Sequence, residues 1–198
     1  MTEAPTQRDV VEHVAALFEP LASALDEEYI GEAISQLAHA LQCAAWAEKH
    51  EAPAEVIVAC LFHDVGHLVD DDAPQMDGLG VVDHETIGGN FLRRHGLPER
   101  VAKLVEAHVG AKRYLCCRKP AYYDRLSRAS KGTLEWQGGP MNEDEAAAFE
   151  QDPDFKYFLA LRSWDELAKE PDAQVPGLGH YRAMITDLIQ NNPSHQPA

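Results

Sequence analysis

The feature that most constrains the fold is a run of apolar residues that ends in a cluster of ionisable ones. Every residue from Val56 to Phe62 is apolar, and His63, Asp64 and His67 follow directly. A helix that is apolar on most faces is buried among other helices, and buried imidazoles and carboxylates need partners. Other elements must therefore bring polar groups to the end of this central helix.

Helical periodicity extends over nearly the whole chain, and no alternating strand pattern occurs. The predicted helices cover about 10–25, 32–49, 54–67, 84–94, 98–108, 153–169 and 179–190, with another beginning at 143. The segment 70–83 is rich in Asp, Gly and Pro and is predicted as a loop, and 112–137 as short helices and turns. We predict an all-α fold, one irregularly packed helical bundle over 1–198 with a frayed tail at about 191–198.

The charge of the chain limits its partners. Acidic residues outnumber basic ones by 33 to 17, and the net charge is −16 with histidine neutral. Such a charge repels nucleic acid and anionic membranes, so we expect neither as a partner. A small anionic substrate would need a local cluster of cations or metal ions.

Compartment and assembly are constrained less directly. No apolar run reaches the length of a membrane-spanning helix, and the first residues do not resemble a secretory signal. The four cysteines lack the spacing of a zinc site. We therefore expect a cytoplasmic protein with reduced thiols, and the oligomeric state is left open.

Histidines and carboxylates on separate predicted helices are the candidate metal ligands, since helices of a bundle build metal centres by pointing such side chains inward. The candidates are His39, His63, Asp64, His84, His108 and Asp165. Any single buried histidine is more often a hydrogen-bonded core residue than a ligand, but His63-Asp64-x-Gly66-His67 in an apolar helix is a costly core pattern. Four imidazoles and two carboxylates suffice for two ions with one carboxylate bridging. These donors suit iron or manganese, with zinc possible.

The same residues resemble the HD-domain superfamily, most of whose members are phosphohydrolases with a His…His-Asp…Asp site. His39, His63-Asp64 and Asp165 match that site, and the added His84 and His108 are similar to its dinuclear branch. Within this branch the chain resembles the mixed-valent diiron oxygenases, which include myo-inositol oxygenase. It is most similar to the small oxygenases that cleave the carbon–phosphorus bond of 2-amino-1-hydroxyethylphosphonate and its N-trimethyl relative.

The resemblance covers nearly the whole chain, and three blocks besides the His-Asp pair are the most specific. They are 29–32, 112–115 and 137–141, which read Tyr-Ile-Gly-Glu, Lys-Arg-Tyr-Leu and Gln-Gly-Gly-Pro-Met. The fold implied is a single HD-domain helical bundle.

The resemblance implies a cofactor of two iron ions, mixed-valent Fe(II)/Fe(III), with O2 as co-substrate. One ion would be held by His39, His63, Asp64 and Asp165, and the other by Asp64, His84 and His108. Tyr29 would occupy a position on the second ion in the resting state and leave together with Glu32 when substrate arrives. The residues implied to line the substrate are His67, Lys112, Ser130, Thr133, Gln137 and Arg162.

The activity implied is oxidative cleavage of the C–P bond of a small zwitterionic hydroxyphosphonate, giving glycine or glycine betaine plus phosphate. Lys112 lies four residues beyond His108 and would face the same way on a continuing helix, so it could offset the negative charge of the chain. The acidic loop, with Asp70, Asp71, Asp72 and Asp77, favours a trimethylammonium over a primary amine. Tyr29 is the one aromatic residue expected near that group, and it does not separate the two. The alternatives are an HD-type metal-dependent phosphohydrolase of nucleotides or phosphomonoesters, and a non-catalytic ligand sensor.

Overall fold

A computed structural model of the chain describes residues 5–25, 29, 33–192 and 194. In this part of the chain the regular elements are ten α-helices and one 3-10 turn, Val65–His67, so the all-α prediction is confirmed. The helices are α1 Gln7–Ser23, α2 Gln36–Lys49, α3 Ala54–Phe62, α4 His84–Arg94, α5 Glu99–Arg118, α6 Pro120–Arg125, α7 Arg128–Trp136, α8 Glu143–Glu150, α9 Phe155–Leu167 and α10 Leu178–Gln190.

Helix α3 lies at the centre of the core. All seven residues from Val56 to Phe62 are buried, and α2, α5, α9 and α10 pack around them. Full burial of a side chain such as Phe62 stabilises the fold by about 1.5–3 kcal/mol. The prediction that the apolar run forms the central helix is therefore confirmed.

Two helix ends differ most from the prediction, while the other described ends lie within four residues of it. Helix α3 ends at Phe62 instead of continuing to His67, because the start of α4 packs against the next turn. Helix α5 runs past His108 to Arg118, since the buried side chains of Ala111, Tyr114 and Leu115 continue its apolar face. Both differences bear on the positions of the candidate ligands.

A second, smaller apolar cluster joins the end of α5 to α6, α7 and α8. Tyr114, Leu115, Tyr122, Leu126 and Leu134 are among its buried members. This cluster holds α7 beside the candidate metal ligands.

Two further observations concern the surface and the end of the chain. None of the helices in the described ranges combines the length and the apolar character needed to cross a bilayer. Near the C-terminus, Asn192 is buried and its side-chain amide donates to Gly96 O at 2.9 Å, while 193 and 195–198 lie outside the described residues.

Candidate metal centre

Three ligand atoms converge from α2, the end of α3 and α9. His39 Nε2 lies 3.0 Å from His63 Nε2 and 3.4 Å from Asp165 Oδ1. His63 Nε2 lies 3.8 Å from the same Asp165 oxygen. All three residues are buried, and we call them the first ligand set.

The second ligand set is Asp64, His84 and His108. Asp64 Oδ1 lies 3.6 Å from His84 Nε2 and 3.5 Å from His108 Nε2, and the two Nε2 atoms are 3.1 Å apart. The other oxygen, Asp64 Oδ2, lies 3.3 Å from His63 Nε2 and 3.6 Å from His39 Nε2. The Asp64 carboxylate therefore stands between the two sets, with one oxygen toward each.

The spacing of these donor atoms fits metal ions. Imidazole and carboxylate ligands bind at about 2.0–2.2 Å, which puts neighbouring donors about 3.0–3.6 Å apart. The separations within the two sets run from 3.0 Å to 3.8 Å, so each set needs little movement to enclose one ion. Nitrogen and oxygen donors without thiolates suit iron or manganese, with zinc possible.

Three of the four ligand histidines have their ring orientation set by a backbone carbonyl. Each donates its Nδ1–H: His39 to Ala168 O at 2.8 Å, His63 to Cys60 O at 2.9 Å and His108 to Val105 O at 2.6 Å. Since a carbonyl only accepts, the proton resides on Nδ1 and the Nε2 lone pair is left for a metal.

His84 is oriented differently. Its Nδ1 is buried and has no hydrogen-bond partner among the described residues, and the same is true of Glu85 Oε2. These two atoms are 3.5 Å apart. A small movement would let the carboxylate accept the Nδ1–H, as carboxylates beside metal-bound histidines commonly do.

The turn after α3 explains why His63 and Asp64 face one site. In a continuous α-helix neighbouring side chains diverge by about 100°, but α3 ends at Phe62 and Asp64 adopts φ −103° and ψ 7°. A Cβ on Gly66 would lie 1.9 Å from His84 O. The first turn of α4 can therefore approach only because residue 66 has no side chain.

At the second ligand set and at Asp165, electrostatics favour the protonation states that bind metal. Burial lowers the pKa of His108 to about 4 and holds the pKa of His84 well below its usual value, so both imidazoles are neutral. Burial alone would raise the pKa of Asp64, but the charge of the neighbouring His63, whose own pKa is raised, outweighs burial and holds the Asp64 pKa far below its usual value. Burial is likewise outweighed at Asp165, where Arg162 is the main group that lowers the pKa.

A cavity of about 60 Å³ adjoins both ligand sets, enough for a few water molecules. Seven residues predicted for catalysis or substrate binding line it, namely Tyr29, His67, Lys112, Ser130, Thr133, Gln137 and Arg162. The eighth, Glu32, lies outside the described residues.

Helices α5 and α7 supply the polar wall of this cavity. Lys112 follows His108 by one turn of α5, as expected, and its buried Nζ donates to Thr133 Oγ1 at 2.8 Å. Burial lowers the pKa of Lys112 to about 7. Ser130, Thr133 and Gln137 recur at helical spacing and so share one face of α7. The buried Gln137 Oε1 has no hydrogen-bond partner among the described residues.

Arg162 lines the cavity, but its guanidinium is already paired. It donates to Asp165 Oδ2 at 2.6 Å through one terminal nitrogen, and through Nε to Tyr122 OH at 2.9 Å and Glu166 Oε1 at 3.1 Å. Arg162 therefore orients a candidate metal ligand, and Tyr122 and Glu166 in turn hold Arg162.

Tyr29 and His67 each stack on a ligand histidine. The Tyr29 ring lies 3.8 Å from the His39 ring at an angle of 15°, and burial raises the pKa of Tyr29 well above its usual value. His39 belongs to the first ligand set, so coordination of the second ion by Tyr29 stays a prediction. The His67 ring stacks on His84 at 4.0 Å, and its Nδ1 accepts from Val81 N–H at 3.0 Å.

Sequence reasoning missed several residues around the site. The cavity is also lined by Leu79, Val109, Ser127, Ala129 and Lys169. Val109 and Ser127 could have been found from their spacing, since one adjoins His108 and the other lies one turn before Ser130. Leu79 could not, because it lies in a loop without periodicity.

Comparisons with known proteins agree with this geometry. The HD domain family matches residues 11–144. The chain is 37% identical over 185 residues to [1-hydroxy-2-(trimethylamino)ethyl]phosphonate dioxygenase (glycine-betaine-forming) of Leisingera caerulea, covering 93% of this chain and 92% of that one. It is also 37% identical to the hydroxymethylphosphonate dioxygenase of Gimesia maris, covering 91% and 90%.

A third relative, an uncharacterised protein of Acanthamoeba polyphaga mimivirus, is 34% identical over 85% of this chain and 78% of its own length. The expected family and enzyme class are confirmed by these relatives. The chain belongs to the HD-domain family and, within it, to the group of the hydroxyphosphonate dioxygenases, which are oxidoreductases.

Proposed function

We propose that the protein is an O2-dependent diiron dioxygenase that cleaves the C–P bond of a small 1-hydroxyphosphonate. The products would be phosphate and the carboxylic acid that retains the carbon skeleton, which is glycine betaine or glycine for the two substrates expected from the sequence. The observation that carries the proposal is the position of Asp64, whose two oxygens face two separate ligand sets.

The proposed cofactor is two iron ions, mixed-valent, one on each ligand set with Asp64 between them. Bound iron would supply the electron transfer and O2 activation that side chains cannot provide. The contribution of the protein is to hold the substrate beside the ions and to keep water out.

The substrate phosphonate is an anion, and the cavity offers cations for it. Lys112 is buried on the cavity wall, and Lys169 lines the same cavity. In the proposal Lys112 and the hydroxyls of Ser130 and Thr133 hold phosphonate oxygens. Arg162 acts mainly by orienting Asp165, since its guanidinium is already paired.

His67 is proposed to donate a hydrogen bond to an oxygen of the substrate. Its Nδ1 accepts the Val81 N–H, so the neutral imidazole carries its proton on Nε2. Burial lowers the pKa of His67, which keeps the ring neutral at neutral pH. His67 would thus hold the substrate hydroxyl or phosphonate by a hydrogen bond from Nε2–H.

The organic substituent on C1 is the least constrained part of the substrate. The relatives are named for a trimethylamino compound and for hydroxymethylphosphonate, which differ in size at this position. We favour the trimethylammonium compound, because the relative that covers 93% of this chain is named for it. The Tyr29 ring does not add to this preference, since it stacks on His39 and Lys169 Nζ lies 5.7 Å from its centre.

The test is phosphate release from 1-hydroxy-2-(trimethylammonio)ethylphosphonate, 2-amino-1-hydroxyethylphosphonate and hydroxymethylphosphonate, each with Fe(II). We expect O2 uptake and phosphate release in a ratio of one to one, and neither under strict anaerobiosis. His108→Ala should abolish turnover, whereas His180→Ala, a change of an exposed histidine paired with Glu48, should not.

Two outcomes would contradict the proposal. Phosphate released without O2, or from nucleoside monophosphates with Mn²⁺, would indicate a phosphohydrolase. A protein that binds iron but acts on neither kind of substrate would indicate a sensor.

A further inference from the structure

A tight loop between the 3-10 turn and α4 carries one apolar side chain into the candidate site. Met76 N donates to Gly80 O at 2.7 Å, Leu79 N donates to Met76 O at 2.9 Å, and Val82 N donates to Pro74 O at 2.8 Å. Asp77, Gly78 and Gly80 have positive φ angles of 49°, 83° and 96°. The backbone therefore reverses sharply here and holds Leu79 at its tip.

The base of this loop is tied to the metal centre. Val81 N–H donates to His67 Nδ1, and His67 stacks on the ligand His84. Met76 and Val81 are buried. The position of Leu79 is thus fixed relative to the second ligand set.

The tip of the loop fits against a glycine of α7. A Cβ on Gly132 would lie 2.5 Å from Leu79 Cδ1, which is closer than non-bonded Cβ contacts come in real structures. Leu79 lines the cavity at the ligand sets and also a groove on the outer side, between the loop and α7. Leu79 is therefore part of the wall that separates the cavity from the solvent in this groove.

The wall formed by Leu79 is also apolar. Most side chains around the cavity are polar, and the aliphatic ones are Leu79, Val109 and Ala129. Ala129 precedes Gly132 by three residues and lies on the same side of α7, so it borders Leu79. A hydroxyphosphonate whose polar groups face Lys112 and the ligand sets would direct its C1 substituent toward this apolar corner.

We propose that Leu79, seated over Gly132, sets the size of the C1 substituent that the site accepts and closes the site to bulk solvent. The proposal rests on the proposed function and adds a specificity-determining residue to it. Gly132 acts as a positioning residue, because it determines how far Leu79 stands back from the cavity.

Substitutions at the two positions should shift selectivity in opposite directions. The measurement is kcat/KM for the trimethylammonio substrate divided by kcat/KM for hydroxymethylphosphonate. Leu79→Ala enlarges the corner and should raise this ratio by about tenfold, the usual effect of a small change in pocket volume. Gly132→Ala pushes the Leu79 side chain into the cavity and should lower the ratio at least severalfold.

The double variant tests whether both changes act through the same contact. With alanine at position 79, the new Cβ at 132 has no Leu79 methyl to displace, so Gly132→Ala should have little effect in that background. Matched controls are Leu25→Ala, an exposed leucine, and Gly179→Ala, a helical glycine whose Cβ would meet no atom within 4 Å. Both controls should keep the wild-type ratio.

A second readout does not depend on turnover. The iron-loaded protein is mixed with EDTA and the rate of metal release is measured. Leu79→Ala should release metal several times faster than wild type, while Leu25→Ala should not. If no hydroxyphosphonate is cleaved by wild type, the proposed function fails and this rate alone decides whether Leu79 closes the site.

The inference is overturned if both single variants leave the selectivity ratio within twofold of wild type, or if both shift it in the same direction. It is also overturned if Leu79→Ala releases metal at the wild-type rate.

Discussion

Asp64 connects the two ligand sets. Among the described candidate ligands it is the one whose two oxygens face different sets, Oδ2 toward the first and Oδ1 toward the second. Replacing it with Asn keeps the shape but removes the charge and one strong donor. We expect Asp64→Asn to bind at most one iron per chain, and to lose more than about 100-fold in activity, since even outer-sphere changes at metal sites cost about 10–100-fold.

Metal content would be measured by elemental analysis of protein reconstituted with Fe(II). The control is Asp72→Asn, an exposed change in the acidic loop, which should retain the wild-type content. Two tightly bound irons in Asp64→Asn would show that the carboxylate does not bridge.

Burial of Lys112 lowers the stability of the folded protein, whereas the proposed function uses its positive charge. Its pKa is lowered to about 7 by burial, whereas an unfolded lysine titrates near 10.4. The unfolded state therefore binds more protons between these two pH values, and the cost to the folded state is greatest below pH 7. It diminishes as the pH rises toward 10.4.

Lys112→Met should accordingly stabilise the metal-free protein, by roughly 2–5 kcal/mol at pH 6.5 and much less at pH 9.5, while weakening substrate binding. Thr133 Oγ1 keeps a partner in this variant, because it also donates to Ser130 O. Urea unfolding at both pH values measures the difference. The exposed change Lys119→Met serves as the control, and an equal effect of both substitutions would refute the argument.

At the scale of elements, the contact between the 3-10 turn and the first turn of α4 sets the position of His84 in the second ligand set. A Cβ on Gly66 would meet backbone atoms of His84 and Gly88 at 1.9 Å and 2.9 Å. Backbone atoms of a helix cannot move aside as a side-chain end does, so α4 as a whole must shift.

We expect Gly66→Ala to destabilise the protein by about 1–3 kcal/mol, as overpacking usually does, and to weaken metal binding at the second ligand set more than at the first. Thermal unfolding and stepwise titration with Fe(II) measure the two effects. Gly179→Ala, with open space around the new methyl group, should be neutral or slightly stabilising. Unchanged binding of both ions in Gly66→Ala would contradict the expected role of this contact.

Across the whole molecule, the candidate metal centre links helices that are distant in sequence. The six candidate ligands come from α2, the end of α3, α4, α5 and α9, so metal bound there should stabilise the native state against unfolding. A ligand present at about a thousandfold excess over its Kd contributes about 4 kcal/mol, which corresponds to roughly 10 °C in Tm for a chain of this length.

Removing metal with EDTA should therefore lower Tm by roughly that amount, and adding Fe(II) back should restore it. Asp64→Asn should respond less to EDTA than wild type, because it starts with less metal. An identical Tm with and without EDTA would mean that metal does not contribute to the fold.

The helical elements and the candidate ligands were accessible from the sequence because both depend on local patterns. Periodic apolar residues specify which stretches become helices, and His63-Asp64 at the end of a buried run requires partners. The extent of α5 and the end of α3 were not accessible, because each is set by what packs against it. Gly66 ends up beneath His84 only when α4 folds back across the 3-10 turn.

Tertiary structure alone decided three features of the site. It divided six candidate ligands into two sets with one Asp64 oxygen toward each, paired Arg162 with Asp165, and placed Leu79 against Gly132. Residues 64 and 108, or 79 and 132, are far apart along the chain, and their distances follow from how whole helices and loops pack. Local patterns specify which side chains are available, whereas packing specifies which atoms meet.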